Sequence, residues 1–180
     1  MKRNIAAALL ILALASFAVY AADPSPASFD VTTTVPGINL MKITTAQFTQ
    51  TTPAQFASAT AFTGPLAITT HGSQTFNAWL STMSNSRSGY KVTMTATAMK
   101  SSIQDQADAY INYTVTVNTE SITTNNASST PASIDVITVT SLTALSKQSH
   151  KIALTVDQAS FQSAVEGSYS GTVTFTYTST

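Results

Sequence analysis

The chain has no cysteine, so it can form no disulfide and offers no thiolate as nucleophile or metal ligand. Histidine occurs only at His71 and His150, which leaves little of the imidazole chemistry used by hydrolases and zinc sites. Charged residues make up 9% of the sequence, against roughly 25% in ordinary soluble domains, and 8 basic side chains balance 8 acidic ones. That balance leaves no basic surface to hold a polyanion, which argues against nucleic-acid binding. No repeat of fixed period runs through the chain. Threonine fills the place of charge, supplying 32 of the 180 residues. A β-branched hydroxyl residue used this heavily suits the solvent face of strands.

The one long apolar run is Ile5 to Val19, behind the basic start Met1-Lys2-Arg3. It closes at Val19-Tyr20-Ala21, a small-residue cleavage site of the secretory type. Too short and too soon followed by polar sequence for a spanning helix, the run reads as a signal peptide over residues 1–21. No cysteine follows it, which excludes a lipid-modified amino terminus. The expected mature chain begins at Ala22, is soluble and exported, inserts in no membrane, and carries 6 basic against 8 acidic side chains. Without disulfides, its stability has to come from packing and strand pairing.

The mature sequence reads as all-β, a sandwich, with no convincing amphipathic helix. Its clearest strand is the ending, where Tyr169, Gly171, Val173, Phe175 and Tyr177 alternate with Thr172, Thr174, Thr176 and Thr178. Period-two alternation puts the first set on a buried face and the threonines on the other. Further strands are expected at Tyr90–Met99, Tyr110–Val117, Ile134–Val139 and Ile152–Val156, with a polar loop from Asn118 to Ser133. At the front, Phe29-Asp30-Val31-Thr32-Thr33-Thr34-Val35 alternates, Pro36-Gly37 breaks it, and Ile38–Ile43 resumes. The break divides an N-terminal extension, residues 22–35, from a domain over residues 36–180. Residues 44–64 suggest irregular structure pinned by Phe48, Phe56 and Phe62. Leu66–Ile68 and Phe76–Leu80 flank His71-Gly72-Ser73 and suggest a hairpin that buries Trp79.

Nothing in this pattern points to catalysis, a metal or a cofactor. Asp105 and Asp108 lack the glycine and terminal glutamate of a helix-loop calcium site and read as a solvated turn. His71 and His150 read as exposed polar residues without a metal partner. Asn112-Tyr113-Thr114 and Asn126-Ala127-Ser128 fit the glycosylation pattern, which means little if the host is bacterial.

Three stretches resemble one family. Phe29 to Leu40 is similar to the mature amino terminus of cysteine-free bacterial fimbrial subunits of the chaperone–usher type. Gly167 to Phe175 looks like that family's last strand, with its Tyr-x-Gly-x-Val core. Ser84-Asn85-Ser86-Arg87-Ser88-Gly89-Tyr90 resembles a turn and strand found in several fimbrial and secreted sandwiches. The resemblance implies an incomplete immunoglobulin-like β-sandwich, a major pilus subunit completed by a donor strand. In that reading Phe29, Val31, Thr33 and Val35 are the donor side chains, and Tyr169, Val173, Phe175 and Tyr177 line the acceptor groove. It further implies a periplasmic chaperone, an outer-membrane usher, further copies of the subunit and a tip adhesin as partners, with export through the periplasm to a fimbria at the cell surface. A single domain with its own extension fits the shaft better than the tip. The competing expectation is a self-complete secreted sandwich, carbohydrate-binding or wall-associated, with Trp79 and the tyrosines as its only sugar platform.

Overall fold

The computed structural model describes residues 28–102, 107–126 and 131–180. The expected signal peptide and residues 22–27 of the extension lie outside them. The chain divides into two units, Met1–Thr34 and Val35–Thr180.

The second unit is an all-β sandwich of antiparallel sheets. The larger sheet has the order β1-β3-β10-β7-β8, from Asn39–Thr44, Trp79–Ser84, Ser146–Val156, Tyr113–Val117 and Glu120–Thr123, with β2 (Gly72–Gln74) beside β10. The smaller has the order β11-β4-β9, from Val173–Ser179, Tyr90–Ala96 and Ala132–Val139. A short pair, β5 (Met99–Ser101) with β6 (Ala109–Ile111), completes the set. The longest strand, β10, ties the larger sheet together. Its first half pairs with β3 and its second half with β7 and β2.

Alternation places the core. Tyr90, Val92, Met94 and Ala96 of β4 point inward against Leu80 of β3, Val115 and Val117 of β7, and Leu154 and Val156 of β10. Tyr113, Val115 and Val117 bury every second residue of β7 while Thr114 and Thr116 stay partly exposed. The same periodicity corrects Trp79. Ala78 and Leu80 take the inward phase, so Trp79 falls on the opposite face and is half-buried. On that opposite face Phe48 and Phe56 pack edge-on, 4.9 Å between ring centres, over Met83. The aromatics do pin residues 44–64, and a short helix lies within them. It is α1 (Pro53–Ser58), started by the Thr52 hydroxyl accepting from the Gln55 amide. Lys42 donates to the Phe56, Ala57 and Ala59 carbonyls at its other end, at 2.9–3.1 Å. A second short helix, α2 (Gln158–Gln162), is capped by Asp157.

Three other expectations change. No hairpin forms around His71-Gly72-Ser73, because Gly72–Gln74 pairs with the distant β10 and Leu66–Ile68 stays outside any strand. The Asn118–Ser133 stretch contains β8, which pairs with β7 across Asn118, a left-handed residue at φ 58°. The strand expected at Tyr110–Val117 breaks at Asn112, whose amide donates to Ser160 Oγ. Gly89, at φ +86°, is required where the chain enters β4, since a Cβ there would lie 1.9 Å from the Val139 carbonyl oxygen.

Candidate functional site

An antiparallel sheet exposes unpaired backbone at its outer strands, and proteins guard such edges with charge, proline, bulges or short strands. Among the described residues the two main strand orders end at β1, β8, β9 and β11, and three of these four are guarded. Ala61 bridges to Thr44 along β1, and the Phe62 amide donates to the Ile43 carbonyl at 2.8 Å. β8 is only 4 residues long and carries Glu120. β9 carries Asp135 and a bulge opposite Val92 and Thr93. β11 has no such guard: residues 167–180 contain no charged residue and no proline. Its register with β4 also runs without a break from Val173 to Ser179.

Beside that edge a cavity of about 390 Å³ opens between the sheets. Val173 and Phe175 of β11 form one wall, and Ile43, Phe62, Leu66 and Ile68 contribute from the other chain segments. All six are half-buried, apolar side chains packed on the core without being enclosed by it. The floor is buried and includes Tyr113, whose phenol pKa burial pushes up to about 12. Tyr169 also lines the cavity. Gly171 brings the chain in to meet it. A Cβ on Gly171 would come within 2.8 Å of the Thr97 carbonyl oxygen and 3.1 Å of the Met99 amide nitrogen, so the approach to β11 requires glycine.

Tyr177, expected in the groove, is not among the residues lining the cavity. Its ring stacks on Tyr90 with centres 4.9 Å apart, and its hydroxyl donates to Asn39 Oδ1 at 2.9 Å. Asn39 Oδ1 accepts from Ser84 Oγ as well, and the Tyr90 hydroxyl bonds Thr82 Oγ1 at 2.9 Å. These contacts tie β11 to β1 across the sheets and close one end of the gap. Burial raises the pKa of both phenols, which keeps them neutral.

Phe29, Val31, Thr33 and Val35 lie in a stretch without regular secondary structure, and Phe29, Val31 and Val35 are 86%, 85% and 74% exposed. Exposed apolar side chains at positions 29, 31 and 35, in phase with Thr33, have the pattern of a strand face without its partner.

Among the described residues the titratable groups singled out earlier do not converge. Asp105 lies outside the described residues. Lys100 at 2.7 Å, and then the Ser102 hydroxyl, hold the Asp108 carboxyl below its usual range. His71 sets its ring edge against Phe161, centres 5.9 Å apart, and His150 bonds Gln148 Oε1 at 3.2 Å. Asn112 Nδ2 donates to Asn126 Oδ1 at 2.7 Å. Among the described residues no group of three or more His, Cys, Asp or Glu is placed to hold a metal ion.

The stretch from Phe62 to Phe76 was not foreseen as a cavity wall. Its signal was there in the spacing of Leu66 and Ile68, too short to separate from a hairpin arm. Compared with known protein families, curated proteins and solved structures, the chain matches none.

Proposed function

We propose that this protein is a structural subunit of a bacterial surface fimbria, polymerising by strand exchange through an incomplete immunoglobulin-like fold. The observation that carries the reading is the uncharged free edge of β11 over an apolar cavity. In this reading β1, β3, β4, β7, β10 and β11 take the A to F positions of a sandwich whose sheets are A-B-E-D and C-F-G. The strand orders β1-β3-β10-β7 and β11-β4 agree with that assignment, and no described strand lies in the G position beside β11.

The occupant is the extension of a second copy. Residues 29–35 supply an apolar strand face, carry only Asp30 as charge, and are exposed. Burying Phe29, Val31 and Val35 contributes about 1.5–3 kcal/mol each, while ordering the strand costs about 1–2 kcal/mol per residue. The two nearly offset, so the strength of the joint rests on backbone pairing, as in other strand-addition complexes. Before assembly the same edge needs cover, which is the task of a periplasmic chaperone; an outer-membrane usher then hands the groove from chaperone to subunit. Each copy offers one strand and one groove, so the contact does not close and a fibre results.

Electrophoresis of the exported protein in detergent, unboiled beside boiled, tests the reading. A ladder that collapses to one band on boiling is expected, and deletion of residues 22–35 should abolish the ladder while leaving a folded domain. A single monomer band in both lanes, from cells with all native partners, would instead support a self-complete secreted sandwich. The cavity's apolar lining would then point to an apolar ligand in place of a sugar.

A further inference from the structure

We infer that residues 66–70 are a latent strand, the second wall of the groove, and that they pair with the incoming extension on the side opposite β11. The inference rests on the strand-exchange reading above and assigns half of its backbone contacts to a segment with no regular structure. Leu66 and Ile68 are half-buried and line the cavity, while Ala67, Thr69 and Thr70 are exposed. Over residues 66–69 that is strand periodicity, with β-branched Ile68 and Thr69, and no strand forms there. No backbone hydrogen bond joins residues 63–71 to another described main-chain group; only the Gln74 side chain reaches in, donating to the Thr70 carbonyl at 2.9 Å.

Both ends of the segment are fixed. On one side the Phe62 amide is held by the Ile43 carbonyl, and on the other Gly72–Gln74 pairs with β10. Between these anchors the segment faces the same cavity as Val173 and Phe175. A strand's backbone groups point alternately to its two sides, so β11 alone leaves half of an incoming strand's groups without partners inside a partly apolar groove. Residues 66–70 offer those partners. Until the extension arrives, their own groups have no described main-chain partner and the stretch stays outside both sheets. Once paired, the segment and β11 should flank the extension at roughly 9–10 Å from one another, two inter-strand spacings.

Amide exchange on the full chain carrying Val31→Asp, which keeps its own extension out of grooves, tests this with a synthetic peptide of residues 28–37. On peptide binding, amide exchange should slow at least tenfold both in β11 and within residues 66–70. Protection confined to β11 would overturn the latent strand while leaving strand exchange standing. Absence of peptide binding would overturn the strand-exchange reading, and this inference with it. Proline supplies a second arm. Because adjacent N–H groups point to opposite sides, one of Ala67→Pro and Ile68→Pro should weaken peptide binding tenfold or more, with the neighbour close to wild type. Equal affinities in both variants would overturn the inference, since a nonspecific loop effect would not alternate.

Discussion

At the scale of single residues, the ionisable groups matter for stability more than for chemistry. Burial lowers the pKa of His150, so the folded state holds it neutral while the unfolded chain takes up a proton more readily. Its contribution is complete above its ordinary 6.5 and is lost as pH falls below that value. Asp157 behaves as a depressed acid. The Ser160 amide it caps, and then the Ser160 hydroxyl, hold its carboxyl below the ordinary 3.8. Its contribution is therefore present above pH 3.8 and lost as pH falls from there toward the folded-state value. Asp108 and Asp135, each lowered first by its lysine partner, act in the same window. The expected melting temperature thus falls in two steps on acidification. His150→Gln should flatten the step near neutrality, and Asp157→Asn, which keeps a capping side chain, should reduce the step near pH 4. Scanning calorimetry from pH 7 to pH 2 checks both; a His150→Gln profile that overlays wild type above pH 5 would contradict the first. What was legible at this scale was polarity. That His150 is partly buried followed from its phase on β10, where Ile152 and Leu154 share its face, and phase needs the register that only pairing supplies.

Among the elements, legibility followed burial on one face. β4, β7 and β11 alternate because one face packs on a core and the other meets water, so Tyr90 to Ala96 and Val173 to Tyr177 were readable directly. β2 and β8 were not, being 3 and 4 residues long and existing because β10 and β7 offer edges to them. The start of β11 was read too early, at Tyr169, because Gly171 preserves the alternation while its backbone is packed against Thr97 and Met99. The outer face of the larger sheet holds a feature that no pattern announced, a chain of hydroxyls across β1, β3 and β10. The Phe48 amide donates to Ser149 Oγ, and Thr44 Oγ1 donates to the Ala46 carbonyl at 2.7 Å. With the Thr44 proton committed there, the Ser81 hydroxyl donates to Thr44 at 2.9 Å and accepts from Ser149 at 2.9 Å. Every member has a partner, and Ser81 is fully buried. Ser81→Ala breaks the chain at its centre and should cost about 1–3 kcal/mol, the penalty for stranding buried polar groups. The check is the urea midpoint, which should drop with an unchanged m-value; an unmoved midpoint would mean that water replaces the lost hydroxyl without cost.

For the whole molecule, the proposal makes a statement about direction that can be tested without knowing any receptor. Strand exchange gives a head-to-tail contact in which the extension of one copy meets the groove of another, and the two surfaces share no residue. Val31→Asp damages only the strand, and Phe175→Asp only the groove. A charge on either side faces an apolar partner and is left without a counter-ion, so each variant alone should yield monomers. Together they behave differently. The Val31→Asp copy keeps a sound groove, and the Phe175→Asp copy keeps a sound extension, so one joint can form between them and no further joint can follow. Coexpression in the native host should therefore give a detergent-resistant dimer band, absent when either variant is expressed alone, with no ladder above it. Because Phe175 packs against the core as well as the cavity, the Phe175→Asp protein is first checked by circular dichroism for a cooperative melt. A self-complementary patch would behave otherwise, since both variants would carry the same damaged surface and the mixture would stay monomeric. A ladder in the mixture would show that growth uses neither residue, and would remove both the extension and the β11 edge from the joint.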